Sequence, residues 1–233
     1  MKNEIVHVKD VSVAYSDVVA VRNINLTLKT SNLLAVIGRN GGGKSSFVRA
    51  LVGEIPFAGE IVCDGVTRED FAYLPQMKHI NRDFPISVFE LVAMGFYRVV
   101  GEFGPIRRWM KEACNDALDR VGLAGFGKRQ ISELSGGQFQ RALFARLMVQ
   151  NCRVIVLDEP FTGMDGQTTT DLLQLISTWR DQGRSVVAVL HDRRHVLDNF
   201  DEVVHVDGSQ MMFGSVEKVF EQPTTHAIFG GKK

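Results

Sequence analysis

Residues 38–45 read Gly-Arg-Asn-Gly-Gly-Gly-Lys-Ser, which fits the phosphate-loop pattern G-x-x-x-x-G-K-[ST]. The octet follows the apolar run Leu33–Ile37 and precedes a segment, 46–52, with the pattern of a helix that ends at Gly53. In such a loop, backbone N–H groups and a helix N-terminus point at a polyphosphate, while Lys44 reaches the β- and γ-phosphates and Ser45 a Mg²⁺ ion. The expected ligand is a nucleoside triphosphate. The alternative is an ordinary Gly-rich turn between a buried strand and a helix.

The composition excludes several classes of protein. The chain has 233 residues, of which 45% are hydrophobic, enough for one large core or two small ones. Lys plus Arg and Asp plus Glu number 27 each, so no overall field would draw the chain to nucleic acid or to an anionic membrane. Three cysteines without a C-x-x-C pair indicate reduced, cytosolic thiols rather than a metal site. No apolar stretch approaches the roughly 18 to 20 residues of a spanning helix, so we expect a soluble, unprocessed protein that works at a membrane only through another polypeptide.

Hydrophobic patterning predicts an α/β fold. Residues 4–15 and 24–28 alternate between apolar and polar side chains, as in a two- or three-stranded antiparallel edge. The continuous apolar runs at 33–37, 154–157 and 186–190 are typical of strands buried on both faces of a parallel sheet. Shorter strands are predicted at 59–63, 71–74, 202–206 and 211–213. Because strands alternate with helices, the sheet is expected to be parallel, with right-handed crossovers.

A block of helical signals interrupts this α/β pattern. Ser87–Glu90 and Ser135–Gln138 each fit a capping box, a motif that opens a helix. Helices are predicted from Ser87 to Met94, at 107–121, from Ser135 to about Gln150 and at 167–182, with a loop at 97–105. The sequence therefore predicts a single domain: an α/β core with a β edge (1–75 and 151–220), an inserted helical subdomain (about 76–150) and a loosely ordered tail (221–233).

Acidic and imidazole groups at the ends of the buried strands carry the expected chemistry. Asp158 ends the run 154–157, where it is placed to hold Mg²⁺ as the acidic partner of a phosphate loop. Glu159 follows it and is placed to orient or deprotonate an attacking water. His191 ends the next buried strand, which brings it beside the same crevice.

Other candidate residues have ordinary explanations when they are considered singly. A lone histidine such as His191 is most often a hydrogen-bonded core residue. Gln76 lies just after a short strand, and Tyr15 ends an edge strand, where an aromatic side chain usually only packs.

Six motifs nevertheless occur in one order and spacing: Gly38–Ser45, Gln76, Leu134–Gln138, Val154–Pro160, Asp165 and His191. Together they resemble the nucleotide-binding subunits of ABC transporters. The resemblance covers nearly the whole chain, from Tyr15 to about Phe220, and the Leu-Ser-Gly-Gly-Gln signature is specific to that family among phosphate-loop proteins. It implies a phosphate-loop, RecA-like α/β fold and an ATPase that uses ATP and Mg²⁺.

The resemblance also implies a role for each matching position. Tyr15 would stack on adenine, Glu159 would act as general base, His191 would hold the γ-phosphate, and Gln76 would sense both the metal and the membrane partner. The expected catalytic residues are Glu159, His191, Gln76 and Lys44, and the expected metal ligands are Ser45, Gln76 and Asp158. The residues expected to bind the nucleotide are Tyr15, Gly38, Asn40, Gly41, Gly43, Lys44, Ser45, Ser46, Ser135, Gly136, Gly137, Gln138 and Asp165.

The signature differs from the other motifs because, in this family, it completes the site of the opposite subunit. Its helix N-terminus and the Ser135 hydroxyl would face a γ-phosphate across an interface, where Asp165 would also lie. ATP is therefore expected to join two copies head to tail. Arg39, Ser46 and Gly163-Met164 depart from the commonest family pattern but remove no donor or acceptor, so an active ATPase is expected.

The cargo is indicated by resemblance alone. Residues 81–95, the Gly-rich loop after them and Arg107-Arg108 look like the subset that serves bacterial zinc, manganese or iron uptake, with zinc or manganese as the leading hypothesis. Such a subunit lies at the cytoplasmic face of the bacterial inner membrane, beneath a separate integral permease. An extracytoplasmic metal-binding protein would act indirectly, and no nucleic-acid partner is expected. The six histidines have no metal-binding spacing, so the chain itself need not bind the transported ion.

Three alternatives stand beside this hypothesis. Siderophore, haem or cobalamin importers share every catalytic motif. Soluble ABC ATPases that act on macromolecular assemblies often carry two cassettes or added arms, and this chain has one cassette without a long insertion. A degenerate regulatory module would have lost Glu159 or His191, and both are present.

Overall fold

The computed structural model describes residues 3–101, 104–207 and 210–222, which divide into two compact units. The first unit contains the chain up to Tyr73, residues 153–160 and the chain from Leu173 onward. The second contains Leu74–Cys152 and Phe161–Leu172. It thus takes in residues 161–172 as well as the span 76–150 that the sequence analysis assigned to a helical subdomain. The predicted tail lies, from residue 223 on, outside the described residues.

Strands and helices alternate along the described chain. The strands are β1 (Glu4–Tyr15), β2 (Val18–Lys29), β3 (Leu33–Ile37), β4 (Ala58–Cys63), β5 (Phe71–Leu74), β6 (Val154–Asp158), β7 (Ser185–Val189), β8 (Glu202–Asp207) and β9 (Gln210–Ser215). The helices are α1 (Lys44–Val52), α2 (Val88–Ala93), α3 (Tyr97–Val100), α4 (Arg108–Arg120), α5 (Gly136–Gln150), α6 (Gly166–Asp181), α7 (Arg193–Asn199) and α8 (Val216–Phe220). The predicted α/β class, with a parallel-rich sheet and an antiparallel edge, is confirmed.

Two sheets organise the strands. One has three antiparallel strands in the order β2-β1-β4, and the other has six in the order β5-β6-β7-β3-β8-β9. In the second sheet β3 pairs parallel with β7 on one side and with β8 on the other, and β6 pairs parallel with β7. The carboxyl ends of β3, β6, β7 and β8 therefore meet at one edge, which is where open α/β sheets bind ligands.

A shared core holds the phosphate-loop helix against both sheets of the first unit. Every residue of β3, β6 and β7 is buried, because these strands are covered on both faces. From α1, Phe47, Val48 and Leu51 join a core cluster with residues of β1, β2 and β3. Each fully buried side chain of this size contributes roughly 1.5–3 kcal/mol. The helix that follows the loop is thus firmly fixed.

In three places the structure differs from the predicted elements. Residues 97–100, expected in a loop, form α3, because a short 3₁₀ turn at Met94–Phe96 continues into helix before Gly101 ends it with a φ of 69°. The helices α7 and α8 were not predicted, because seven and five residues are too few to show a clear apolar period.

Within the described ranges, no helix is long and apolar enough to cross a membrane.

Candidate active site

Two glycines allow the backbone of the phosphate loop to lie directly against strands β8 and β2 of the first unit. Gly38 has a φ of 150°, and a Cβ built on it would lie 1.9 Å from the carbonyl oxygen of Val206. Gly43 has a φ of 91°, and its Cβ would lie 2.3 Å from the carbonyl oxygen of Ala20. Any side chain at either position would push β8 or β2 away. These glycines are therefore required by close backbone approach as well as by conformation.

Lys44 is bound to the loop that precedes it. Its side chain is only 5% exposed, and Nζ donates hydrogen bonds to the carbonyl oxygens of Gly38 at 3.0 Å and Arg39 at 2.9 Å. Burial lowers the pKa of Lys44, and the nearby carboxylates of Glu159 and Asp158 partly oppose that shift. A buried cation held against backbone carbonyls suits a polyanionic ligand that replaces those weak contacts.

Asp158 joins the end of β6 to the start of α1. Ser45 Oγ donates to Asp158 Oδ1 at 3.1 Å, and Asp158 is 2% exposed. The hydroxyl of Tyr73, on the neighbouring strand β5, also hydrogen-bonds Asp158, and burial raises the pKa of Tyr73. Two hydroxyl groups thus fix a single carboxylate beside the phosphate loop.

The donor set at Asp158 fits Mg²⁺ better than a softer metal. It consists of carboxylate and hydroxyl oxygens, the ligands that Mg²⁺ prefers when substrate phosphates complete its shell. Throughout the part of the chain that the structure describes, no cluster of three or more His, Cys, Asp or Glu side chains is placed to hold a metal.

Glu159 and His191 form a second pair at the same edge of the sheet. Glu159 Oε1 lies 3.0 Å from His191 Nε2, within hydrogen-bonding distance, although the two residues come from the ends of different strands. The backbone of Glu159 is left-handed, with a φ of 51°. For a residue with a Cβ that conformation costs of order 1 kcal/mol and is found disproportionately at functional sites. The strained turn after β6 aims this carboxylate at His191.

Tyr15 lies at the tip of the β1–β2 hairpin. It pairs with Val18, and its side chain is 46% exposed. Ala20, two residues further along β2, is the residue whose carbonyl abuts Gly43. An exposed aromatic ring therefore lies on the hairpin that touches the phosphate loop. The tip of the loop itself, Arg39 to Gly41, is also exposed, and Ser46 is half-buried in the first turn of α1.

In the second unit, the signature begins helix α5. The Ser135 Oγ accepts from the Gln138 N–H at 3.2 Å, and Gln138 Oε1 accepts from the Ser135 N–H at 3.0 Å, which confirms the predicted capping box. Ser135 is exposed, and Gly136 and Gly137 are half-buried. The Gln138 side chain is thus engaged in the cap.

Gln76 and Asp165 are also placed by local hydrogen bonding in the second unit. Gln76 is 7% exposed and precedes a 3₁₀ turn, Met77–His79. Asp165 precedes α6, where its two carboxylate oxygens accept from the Thr168 N–H and hydroxyl, both at 2.8 Å. These hydrogen bonds lower the pKa of Asp165.

The structure brings Lys44, Ser45, Asp158, Glu159 and His191 together in the first unit, and it places Gln76, Ser135–Gln138 and Asp165 in the second. Three further residues near the phosphate loop were missed by sequence reasoning: Tyr73, Asp207 and His205. A Cβ on Gly42 would lie 3.4 Å from Asp207 Oδ1. His205 is 3% exposed, and burial lowers its pKa. The apolar patterns of β5 and β8 carry no signal for these residues, because their proximity depends on strand order.

Comparison with known proteins decides the family. A family model described as ABC transporter matches residues 21–162, and the "Manganese transport system ATP-binding protein MntB" of Listeria innocua is 33% identical over 96% of this chain and 95% of its own length. The chain belongs to the ABC transporter family. It is an ATP-binding cassette, a nucleotide-binding ATPase subunit, and the predicted family and enzyme class are confirmed.

Two further comparisons agree with this assignment. The "Zinc transport system ATP-binding protein TroB" of Treponema pallidum is 34% identical over 97% of this chain and 87% of its own length. A solved structure described as a metal-chelate type ABC transporter in an inward-facing conformation superposes with a TM-score of 0.86 at 26% identity, covering 97% of this chain and 89% of that one.

Proposed function

We propose that this chain is the ATP-hydrolysing subunit of an importer that moves a transition-metal ion, manganese or zinc, through a separate membrane permease. The observation that carries the proposal is the Glu159–His191 pair, 3.0 Å apart, at the sheet edge that also holds the Ser45–Asp158 pair. A carboxylate that can accept a proton, close to an imidazole and to candidate Mg²⁺ ligands, suits phosphoryl transfer to water.

The residues of the first unit divide the work of hydrolysis. The loop N–H groups and Lys44 bind the β- and γ-phosphates, and Tyr15 stacks on the base. Glu159 accepts the proton of the attacking water, and His191 holds the γ-phosphate and orients the Glu159 carboxylate. Ser45 and Asp158 would hold Mg²⁺, which when bound would neutralise charge on the phosphates, and the family resemblance adds Gln76 to the expected ligands.

The signature acts on the nucleotide of a second copy in this proposal. Ser135 is exposed at the N-terminus of a 15-residue helix, where backbone N–H groups and a hydroxyl favour an anion. Among the described residues, the Ser135 hydroxyl accepts a hydrogen bond but donates none. Two copies arranged head to tail would let each signature donate to the γ-phosphate held by the other, with Asp165 at their interface. ATP would therefore join the copies, and hydrolysis would release them.

The permease and the cargo rest on the relatives. MntB and TroB are named as ATP-binding proteins of manganese and zinc transport systems, and each matches almost the whole of this chain. Because these relatives are named as the ATP-binding proteins of transport systems, we infer that a separate permease provides the pathway and that this subunit lies at the cytoplasmic face of the plasma membrane. An extracytoplasmic metal-binding protein would deliver the ion.

The decisive variant is Glu159→Gln. The amide keeps the size of the side chain but accepts no proton, so we expect ATP binding to persist while hydrolysis falls by about 10²- to 10⁴-fold. The variant should accumulate as an ATP-bound dimer, measured by light scattering with ATP and Mg²⁺. Glu60→Gln, which changes an exposed carboxylate on β4 that pairs with Lys9, is the matched control and should behave as wild type. If Glu159→Gln stayed monomeric and hydrolysed ATP at the normal rate, the general-base assignment would be wrong.

The cargo has a separate test. Cells that carry only the Glu159→Gln form are grown in metal-limited medium, and their manganese, zinc and iron contents are measured by elemental mass spectrometry. A selective fall in manganese or zinc, reversed by the wild-type chain, supports the proposed import. Unchanged contents of all three would reject the cargo and leave the ATPase assignment intact.

A further inference from the structure

The segment that follows Gln76 runs alongside the segment that leads into the signature. Backbone hydrogen bonds join the N–H of Ile131 to Ile86 O at 3.0 Å, the N–H of Val88 to Arg129 O at 2.9 Å, and the N–H of Phe89 to Gly127 O at 2.9 Å. Ser87 and Gln130 form an isolated antiparallel bridge within this pairing. Because the two segments are antiparallel, positions closer to Gln76 align with positions closer to the signature.

Arg82 extends this pairing to the signature itself. Its guanidinium donates a hydrogen bond to the carbonyl oxygen of Leu134, the residue immediately before Ser135. The same guanidinium lies over the ring of Phe139, 5.0 Å from the centroid, and Phe139 is fully buried in the first turn of α5. One side chain therefore contacts the first residue of the signature and the residue directly after it.

A second contact to the signature is made by Met77, which lies between Gln76 and Arg82 in the sequence. A Cβ built on Gly136 would lie 3.4 Å from Met77 Cε, so the residue directly after Gln76 packs against the second residue of the signature helix cap. Contacts at Met77, at Arg82 and at residues 86–89 thus connect this segment to the segment 127–139.

Hydrogen-bond satisfaction alone does not account for Arg82. Its Nε is buried and has no hydrogen-bond partner in the described part of the chain, which is unfavourable for a charged donor. Arginine nonetheless makes two contacts at once that lysine cannot, because its planar fork donates to a carbonyl while its face stacks on a ring.

We propose that Arg82 is a positioning residue that ties the Gln76 segment to the signature, so that a displacement of one displaces the other. The inference rests on the proposed function, in which Ser135 reaches the nucleotide of the second copy, and on the role that the family resemblance implies for Gln76 as a sensor of the metal and the membrane partner. A movement imposed at Gln76 would then change how a nucleotide is held in the opposite site. Coupling of this kind requires a shared rigid segment, and the antiparallel pairing with Arg82 provides one.

The test compares Arg82→Gln and Arg82→Lys in the Glu159→Gln background, with Arg129→Gln as the matched control. Arg129 also stacks on a phenylalanine of the second unit, 3.8 Å from the Phe126 centroid, but it is exposed. Hydrogen exchange of the amides at 134–139 and ATP-dependent dimerisation are measured for each form, together with the affinity of the monomer for a fluorescent ATP analogue.

We expect Arg82→Gln to accelerate amide exchange at 134–139 several-fold and to weaken ATP-dependent dimerisation about tenfold, since one charge-assisted hydrogen bond is lost. Arg82→Lys should be intermediate, Arg129→Gln should match the parent, and the nucleotide affinity of the monomer should be the same in all forms. This last readout separates positioning of the signature from general damage to the fold.

Each outcome decides between the alternatives. Unchanged exchange at 134–139 in Arg82→Gln would show that Arg82 does not hold the signature. Faster exchange with undiminished dimerisation would reduce Arg82 to a local structural role and overturn the coupling. If the Glu159→Gln parent formed no ATP-dependent dimer at all, the proposed head-to-tail arrangement would fail, while the exchange data would still decide whether Arg82 fixes the signature.

Discussion

In the first unit the groups expected to meet phosphate are buried and already bonded, whereas in the second unit they lie at the surface. Lys44 and Asp158 are 5% and 2% exposed, and each is held by hydrogen bonds within the first unit. Ser135 is exposed, and its hydroxyl donates to nothing among the described residues. The contrast agrees with the proposed function, in which the first unit binds a nucleotide and the second supplies donors to a nucleotide held by another copy.

A second contrast lies within the second unit, between the helix caps at Ser87 and Ser135. Ser87 and Ser135 open α2 and α5 with the same capping box. The Ser87 hydroxyl, however, both accepts from the Glu90 N–H at 3.2 Å and donates to Glu90 Oε2 at 2.7 Å. At Ser135 the partner is Gln138, whose Oε1 accepts from the Ser135 N–H, and the Ser135 hydroxyl donates to no described residue. The same local motif thus closes one helix completely and leaves a donor on the other.

The largest effect that would sharpen the contrast between the units comes from Lys44→Ala. Removal of the buried ammonium deletes a charge-assisted contact to the phosphates, which corresponds to roughly a 10- to 100-fold loss of ATP affinity. The loss should appear in the monomer, because the proposal gives the phosphate contacts of a single copy to Lys44 and the loop of the first unit. Equilibrium binding of a fluorescent ATP analogue measures it, and Lys9→Ala, an exposed lysine on β1, is the control. If Lys44→Ala bound the ATP analogue with wild-type affinity, the assignment of Lys44 as a phosphate-binding residue would be wrong.

The next effect compares Ser135→Ala with Ser87→Ala. Each variant loses an N-cap, so each should lower the free energy of unfolding by about 1 kcal/mol, as measured by urea denaturation. Only Ser135→Ala should weaken ATP-dependent dimerisation in the Glu159→Gln background, by about tenfold, with nucleotide affinity of the monomer unchanged. Equal effects of the two variants on dimerisation would abolish the distinction between a structural and a functional cap.

The sequence could predict the parts of the molecule that depend on contiguous residues. The strands β3, β6 and β7 are unbroken apolar runs, and the capping boxes at Ser87 and Ser135 are local, so both were recognised in advance. The short helix α7 has a local signal as well, since Asp192 Oδ1 accepts from the Arg194 N–H at 2.7 Å, but an aspartate alone is too common to predict a seven-residue helix.

The neighbours of the phosphate loop were less accessible to sequence reasoning. Tyr73 and Asp207 reach the loop region only because β5 lies beside β6 and β8 beside β3, and that order is set by tertiary packing. The roles of Gln76 and Asp165 came from resemblance, and they stay predictions. The structure adds that both residues sit at starts of helical turns, where their polar groups are locally ordered.

A smaller effect is expected for Tyr73→Phe, which tests whether the Tyr73 hydroxyl helps to fix the Asp158 carboxylate. The change removes one hydroxyl that bonds Asp158 and leaves Ser45 as the remaining side-chain donor described above. One neutral hydrogen bond corresponds to a roughly 3- to 10-fold increase in the Mg²⁺ concentration needed for half-maximal ATP hydrolysis. ATP affinity without Mg²⁺ should not change. The control is Tyr97→Phe, an exposed tyrosine of α3, and an identical Mg²⁺ dependence in both variants would refute the role of Tyr73.

The smallest effect concerns stability rather than activity. It tests whether the buried His205 lowers the free energy of unfolding at acid pH. Burial lowers the pKa of His205 below its ordinary value of 6.5, so the unfolded chain binds a proton at a higher pH than the folded chain does. As the pH falls from about 6.5 towards the folded pKa, the unfolded state gains that proton and stability decreases, by no more than about 1.4 kcal/mol per pH unit. Above that window His205 is neutral in both states and contributes no pH dependence.

His205→Leu should therefore flatten the decline in the free energy of unfolding between pH 7.5 and 5.5, whereas His79→Gln, at an exposed site of the second unit, should keep the decline of wild type. An equally steep decline in His205→Leu would mean that the imidazole takes up its proton in the folded state, a reaction that its burial and the positive charge of Lys44 oppose and the carboxylate of Asp207 favours.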